Sequence, residues 1–148
     1  MKKIKVNIVV PSLVQGGGLR IIFSYANYLV EQGHDVVVYV PILYVWPKVR
    51  NSKINWKTSA GNFLRGNKVK WFDNKFKIKP VFKISDAYIR NADIVIATTW
   101  QTAQTVYNLA DSKGKKVYFI QGYEVNDEGT NKIEVEDSYK LGMNMFTI

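Results

Sequence analysis

Residues 4–20 read IKVNIVVPSLVQGGGLR, and the architecture of the chain follows from them. The run from Ile4 to Val10 is short, apolar and rich in β-branched residues, which is typical of a strand buried in a parallel sheet. From Leu19 onward, apolar residues recur at helical spacing. These residues therefore predict a strand, a loop and an amphipathic helix in succession.

Three consecutive glycines, Gly16, Gly17 and Gly18, stand between the predicted strand and the predicted helix. Glycine lets a ligand approach the backbone closely, and a helix start offers unpaired N–H groups with a partial positive charge. Arg20 adds a full charge in the first helical turn. The pattern predicts a site for the phosphate or sugar of an anionic ligand; the alternative is a flexible connection that binds nothing.

The glycine loop matches neither of two common nucleotide-binding motifs. A nicotinamide-binding loop has the pattern G-x-G-x-x-G and an acidic residue about twenty positions further on. Here the second predicted strand ends at Val40 and Pro41 without a carboxylate. A Walker loop is also excluded, because Leu19 and Arg20 follow the third glycine where Lys and Ser or Thr would stand.

Composition excludes several kinds of site. The 148 residues include no cysteine and one histidine, so disulfides, thiolate metal sites and histidine-rich metal sites are excluded, and we expect no metal. His34 precedes the second predicted strand, at the edge opposite the ligand edge, and is expected to be a turn residue. The uncharged apolar run at 36–47 is too short to span a bilayer.

Strand and helix signals alternate along the chain. This alternation predicts one Rossmann-like domain over residues 1–148, an α/β fold whose parallel sheet has helices on both faces. Further strands are expected at 35–41, 69–73, 92–98, 116–121 and 144–148, and further helices at 84–91, 100–110 and 135–141. A strand that runs to the last residue suggests a piece of a longer protein.

In open parallel sheets, ligands bind beyond the carboxyl ends of the strands. Residues that follow the predicted strands at 92–98 and 116–121 should therefore share one cleft with the glycine loop. The candidates for binding there are Thr99, Trp100, Gln121, Tyr123 and Glu124. Glu124 would bind hydroxyls or transfer a proton, or else be a solvated loop acid. Trp100 would stack on a sugar or base, or else pack in the core.

The net charge of +9 is concentrated in one segment. Residues 41–83 carry eleven Lys or Arg and one acid, interleaved with aromatic side chains, while the rest of the chain is close to neutral. Each such cation near an anionic leaflet contributes about 1 kcal/mol, and tryptophan favours the interface. We expect residues 42–83 to contact a membrane surface or a charged acceptor; the alternative is a solvated basic loop.

Three sequence blocks, taken together, carry a family resemblance. They are VVPSLVQGGGLR at 9–20, LVEQGHDV at 29–36, and the pair ADIVIAT at 92–98 and YFIQGYE at 118–124. In their order and spacing they resemble the N-terminal half of a family 4 glycosyltransferase with the GT-B fold, and the last block is similar to rhamnosyltransferase-like members. The resemblance covers nearly the whole chain.

The resemblance implies a cytoplasmic enzyme of hexosyltransferase type with two Rossmann-like domains, acting in cell-surface polysaccharide biosynthesis and peripheral at the inner membrane face. It would transfer a sugar with retention, without a metal or other cofactor. The N-terminal domain would hold a glycan or lipid-linked acceptor and the C-terminal domain the nucleotide-sugar donor. The loop at 16–18 would approach the donor's diphosphate or sugar, and residues 121–124 would line the acceptor pocket.

Two departures limit this transfer of roles. Many relatives have a histidine after the fifth strand, where this chain has Gln121, Gly122 and Tyr123, so catalytic residues stay unassigned. The C-terminal domain with its paired glutamates is absent from this chain, which is therefore expected to be inactive alone.

Two other classes of protein remain as alternatives. One is a basic nucleic-acid-binding module, although a recognition helix and a zinc site are lacking and the glycines would be unexplained, so we expect no nucleic acid. The other is a nucleotide-dependent oxidoreductase or epimerase domain, which the missing ribose-binding acid disfavours.

Overall fold

The computed structural model describes residues 2–42, 69–126 and 131–147. Its strands and α-helices are β1 (Lys5–Val9), α1 (Gly17–Glu31), β2 (Asp35–Pro41), β3 (Lys77–Val81), β4 (Ile94–Ala97), α2 (Trp100–Tyr107), β5 (Lys115–Ile120), α3 (Lys132–Tyr139) and β6 (Asn144–Thr147). Short 3₁₀ turns lie at Asp111–Lys113 and Glu124–Asn126. In these ranges no helix combines the length and the apolar character needed to cross a membrane.

The six strands form one sheet in the order β3-β2-β1-β4-β5-β6, and every neighbouring pair is parallel. Helix α1 packs on one face of this sheet, and α2 and α3 pack on the other. The predicted Rossmann-like α/β fold with helices on both faces is therefore confirmed. Chain order reverses between β1 and β4, which lie side by side at the centre of the sheet.

The core beneath α1 is built around Phe23, which is fully buried. Its ring stacks on Trp71 at 5.2 Å between centroids and meets Phe72 and Phe76 edge to face. Offset and edge-to-face pairs of this kind each contribute about 0.5–1.5 kcal/mol beyond the burial of their area. The segment before β3 therefore holds α1 against the sheet.

The strand predicted at 69–73 is wrong. Residues 70–72 form a turn, and their apolar side chains cover Phe23 instead of joining the sheet. The third strand is β3, where Lys77 and Lys79 are exposed while Ile78 is buried. Alternation of this kind is typical of an edge strand, and Pro80 is tolerated there because edge strands leave backbone positions unpaired.

The helix predicted at 84–91 is also wrong. A single turn forms, closed by hydrogen bonds from the N–H groups of Tyr88 and Ile89 to the carbonyl of Ser85. Ile89 is buried beneath the sheet face that carries α2, so one apolar anchor positions the segment.

Arg90, which follows this turn, ties three segments together. Its guanidinium donates hydrogen bonds to Asn7 Oδ1 at 3.1 Å, to Asp35 Oδ2 at 2.6 Å and to the Asp35 carbonyl at 2.7 Å. Asn7, which is fully buried in β1, donates back to the Arg90 carbonyl at 2.9 Å. The hydrogen bond from Arg90 lowers the pKa of the Asp35 carboxyl below its ordinary value.

Candidate functional site

A cavity of about 400 Å³ opens at the carboxyl edge of the sheet, beside the reversal of chain order between β1 and β4. Loops after β1, β4 and β5 and the first turns of α1 form its wall. The lining residues are Pro11, Ser12, Val14, Gly18, Leu19, Ile22, Thr98, Thr99, Gln121, Gly122, Tyr123 and Glu124. In doubly wound sheets, ligands bind at a reversal point of this kind.

The structure brings five of the nine predicted site residues into the cavity wall. These are Gly18, Thr99, Gln121, Tyr123 and Glu124. Gly16, Gly17 and Arg20 are exposed at the start of α1 and lie outside the wall. Trp100 also lies outside it: the side chain is only 7% exposed, so it packs in the core and does not offer a stacking surface.

Among the residues that the structure describes, no side chain caps the start of α1. Gly16 is the N-cap residue in an extended conformation, and the first helical turn contains no acidic residue. The N–H of Arg20 donates to the Gly16 carbonyl at 3.0 Å and makes the first bond of the helix. The preceding N–H groups, of Gly17, Gly18 and Leu19, therefore have no acceptor within the helix, and they carry its partial positive charge.

Backbone conformation does not require glycine at 16–18. Of the described glycines, only Gly33, Gly114 and Gly142 have a positive φ. Packing opposes a side chain only at position 18, where a Cβ would come within 2.6 Å of Gln121 Oε1, the end of a flexible side chain that would have to move. At positions 16 and 17 a Cβ would meet no described atom within 4 Å.

The start of α2, by contrast, has side-chain acceptors supplied by the chain itself. Thr102 Oγ1 accepts hydrogen bonds from the N–H groups of Thr98 and Thr99 at 3.0 and 3.1 Å. Glu124 Oε2 accepts from the N–H of Trp100 at 2.9 Å and from the Tyr118 hydroxyl at 2.9 Å. Glu124 is therefore a structural carboxylate bound to a helix start, and not a freely solvated loop acid.

Tyr118 supports this arrangement from inside the protein. It is fully buried, and burial, with the Glu124 carboxylate beside it, raises the pKa of its hydroxyl. The hydroxyl therefore keeps its proton and donates it to Glu124. The ring stacks on Tyr139 of α3, which in turn stacks on Tyr123 at the rim of the cavity.

The end of β1 and the loop that follows it are each fixed by a contact that sequence reasoning missed. Trp71 Nε1 donates to the carbonyl of Leu13 at 3.2 Å, and Thr98 Oγ1 donates to the carbonyl of Val9 at 2.8 Å. Trp71 belongs to the basic, aromatic segment at 41–83, whose composition favours a surface contact and gives no sign of this packing. No local signal marks its partner Leu13, since the bond spans 58 residues.

The predicted surface contact at 42–83 falls largely outside the described residues, since 43–68 are not described. In the described part, Trp71, Phe72 and Phe76 pack against Phe23, so these aromatics belong to the core. The lysines at 70, 75, 77, 79 and 83 are exposed. Contact with a membrane surface or a charged acceptor stays a prediction.

In the described residues no group of three or more His, Cys, Asp or Glu side chains is arranged to hold a metal ion. Comparison of the chain with protein-family models, with curated proteins and with solved structures found no match.

Proposed function

We propose that this chain is the acceptor-side, Rossmann-like domain of a glycosyltransferase that uses a nucleotide-sugar donor. The observation that carries the proposal is the uncapped start of α1 beside a cavity at the carboxyl edge of the sheet. Backbone conformation requires glycine at none of these three positions. At positions 16 and 17, packing does not require it either. Close approach of an anionic ligand explains them.

The electrostatics of this helix start suit a diphosphate. The N–H groups that lack an acceptor within the helix and the exposed Arg20 are donors, and the first turn contains no acidic residue. Phosphate oxygens accept hydrogen bonds from such groups, and the helix dipole adds to the attraction. Oε2 of Glu124 accepts from the Trp100 N–H and the Tyr118 hydroxyl, so this oxygen is engaged at the start of α2.

The cavity suits a sugar next to that diphosphate. Its volume lies within the range of small-molecule sites, and its wall mixes apolar side chains with the hydroxyls of Ser12 and Thr99 and the Gln121 carboxamide. Hydroxyl and amide groups bind sugar hydroxyls in both donor and acceptor roles. Most of donor recognition and the catalytic groups are assigned to a second domain, as the resemblance implies.

The test is a titration of the chain with uridine, guanosine and thymidine diphosphate sugars and with inorganic pyrophosphate. Calorimetry measures affinity, and amide chemical shifts locate the ligand. We expect shifts centred on Gly17, Gly18 and Leu19, and weaker binding by the variant Arg20→Gln. Lys5→Gln is the matched control, since it removes the same charge from the start of β1 at the opposite edge of the sheet.

Binding that leaves the amides at 17–19 unchanged, or equal losses in Arg20→Gln and Lys5→Gln, would contradict the proposal. Tighter binding of a nicotinamide dinucleotide than of any nucleotide sugar would point to an oxidoreductase instead. Salt-dependent binding of DNA in preference to nucleotide sugars would point to a nucleic-acid-binding module.

A further inference from the structure

The cavity at the carboxyl edge of the sheet has walls that differ in charge. The first turn of α1 contributes Gly18 and Leu19, whose N–H groups belong to the positive end of the helix. The loop after β5 contributes the carboxylate of Glu124, which lies against the start of α2. A ligand that fills the cavity therefore meets backbone donors on one wall and a negative charge on another.

Glu124 is the one charged side chain among the described residues of the cavity wall. The other polar side chains of this wall are uncharged, and they are Ser12, Thr98, Thr99, Gln121 and Tyr123. Arg20 lies outside the wall. In the part of the chain that the structure describes, the wall therefore offers no cationic side chain to a carboxylate on the ligand.

The protein holds the Glu124 carboxylate in place with its own donors. Oε2 accepts from the Trp100 N–H and from the Tyr118 hydroxyl, each at 2.9 Å, and hydrogen bonds of this kind favour the ionised group. The positive end of a helix amounts to about half a unit charge, so the start of α2 does not cancel the carboxylate. Glu124 is also half-buried, and solvent and salt screen such a charge less than an exposed one.

We infer that Glu124 makes the cavity selective for sugars without a carboxylate, so that the donor carries a neutral sugar and not a uronic acid. The inference rests on the proposed function, because it names the class of sugar for the same site. Hydroxyls of a neutral sugar donate to a carboxylate and pair with uncharged hydroxyl and amide groups. A carboxylate on the sugar would instead lie near Glu124, and the juxtaposition of like charges weakens binding.

The experiment compares glucose 1-phosphate with glucuronic acid 1-phosphate, which differ only in a hydroxymethyl group and a carboxylate at C6. Titrations followed by amide chemical shifts, at pH 7 and constant ionic strength, give the affinity and the location of each ligand. We expect glucose 1-phosphate to shift the amides at 17–19 and 121–124 and to bind about tenfold more tightly or better. Inorganic pyrophosphate, which carries no sugar, reports on the start of α1 alone.

Two variants separate the charge of Glu124 from its structural role. Glu124→Gln removes the charge and should reduce the preference to about threefold or less, chiefly by tighter binding of glucuronic acid 1-phosphate. Ser12→Lys leaves the contacts of Glu124 intact and adds a cation at an exposed position of the wall. It should therefore reduce the preference as well, and it decides the question alone if Glu124→Gln is unfolded by circular dichroism.

The matched control is Glu136→Gln, which removes the same charge outside the cavity wall. We expect this variant to keep the preference of the unmodified chain. Equal affinity for the two sugar phosphates in the unmodified chain would overturn the inference. So would a preference that a folded Glu124→Gln leaves unchanged, or one that Glu136→Gln reduces to the same extent.

Failure of the inference and failure of the proposed function are distinguishable. If pyrophosphate binds at 17–19 but glucose 1-phosphate binds no more tightly than inorganic phosphate, the cavity holds no sugar and the selection by Glu124 falls. If the preference is found at 121–124 but no phosphate ligand shifts the amides at 17–19, the proposed transferase function fails and the selection by Glu124 remains. If none of these ligands binds, both fall.

Discussion

The carboxylate of Glu124 and the backbone N–H of Trp100 are joined by a hydrogen bond of 2.9 Å, although 24 residues separate them in the chain. The bond fastens the loop after β5 to the start of α2. The same carboxylate oxygen accepts from the Tyr118 hydroxyl, so the loop is also tied to the interior. Two walls of the candidate site are thereby held together by one side chain.

Replacing Glu124 with glutamine should lower the free energy of unfolding by about 1 kcal/mol. The amide preserves the shape of the side chain but removes the negative charge from the helix start and weakens a charge-assisted hydrogen bond. Urea unfolding measures the difference. Glu136→Gln is the control, because its ion pair with Lys132 is exposed and 4.0 Å long. If both variants lose the same free energy of unfolding, the contact of Glu124 with the start of α2 stabilises the fold no more than an exposed ion pair does.

Alanine at positions 17 and 18 should have different effects. Both residues lie in the first turn of α1, where alanine is favoured over glycine by up to about 1 kcal/mol. Gly17→Ala should therefore stabilise the fold, since space is open there. Gly18→Ala should gain less, because Gln121 Oε1 must move away from the new methyl group. Thermal unfolding of the two variants tests this order.

Gly17→Ala also tests whether the glycine loop binds an anion. If an anion approaches the backbone, Gly17→Ala should weaken binding of pyrophosphate even though the fold becomes more stable. If the affinity of this variant for pyrophosphate is unchanged, the glycines form a flexible connection and do not bind the anion. Calorimetry with pyrophosphate supplies the measurement.

Trp71→Phe should destabilise the protein by about 1 kcal/mol. Phenylalanine keeps the aromatic contact with Phe23 but removes the indole N–H that donates to the Leu13 carbonyl. The loop after β1 should then open more often, which hydrogen exchange of the amides at 12–16 would detect. Phe82→Leu is the control, since Phe82 is 52% exposed. Unaltered exchange in Trp71→Phe would mean that Trp71 does not restrain the loop.

Stability should depend on the ionisation of Asp35. The hydrogen bond from Arg90 lowers the pKa of Asp35 in the folded state below its ordinary value of 3.8. The contribution of the pair is therefore present above that value and is lost as the pH falls through the folded-state pKa. Asp35→Asn should be less stable than the unmodified chain at pH 7, and the gap should narrow below about pH 4.

Urea unfolding at pH 7, 4 and 3 measures this gap. Asp73→Asn serves as the control, because Asp73 is exposed at the turn before β3. A gap between Asp35→Asn and the unmodified chain that stays constant across these pH values would contradict the assignment. The comparison is made at constant ionic strength, since salt screens exposed charges.

Several elements could be predicted because local chemistry marks their ends. The sequence predicts strand β2 at 35–41, and the strand occupies Asp35–Pro41, between a turn that contains Gly33 at φ 86° and a closing proline. The start of α2 was predicted from Thr99, although its cap also uses Thr102 and Glu124. Parallel strands buried on both faces give a strong signal of β-branched residues.

Other features depend on contacts that are distant in sequence. The run at 69–73 has the composition of a strand, but the need to cover Phe23 decides its structure. The role of Arg90 has no local signal, because its partners Asn7 and Asp35 are 83 and 55 residues away. At the site, the positions of the predicted strands indicate which loops meet at the carboxyl edge of the sheet. The hydrogen bond from the start of α2 to Glu124 could not be predicted, because it depends on how the folded elements pack.

Asn7 helps to determine the register of the central strand β1. Val6, Ile8, Val9 and Val10 are apolar and buried, and the facing residues of β2 at 36–40 are buried as well. A slip of β1 by one residue would exchange its two faces while burying almost the same apolar surface. It would also carry Asn7 away from Arg90 and leave the buried Asn7 amide without its hydrogen-bond partners. The Asn7 amide and the Arg90 guanidinium thus select the correct register at the centre of the sheet. With valine at position 7, the correct and the slipped register would no longer differ in these hydrogen bonds.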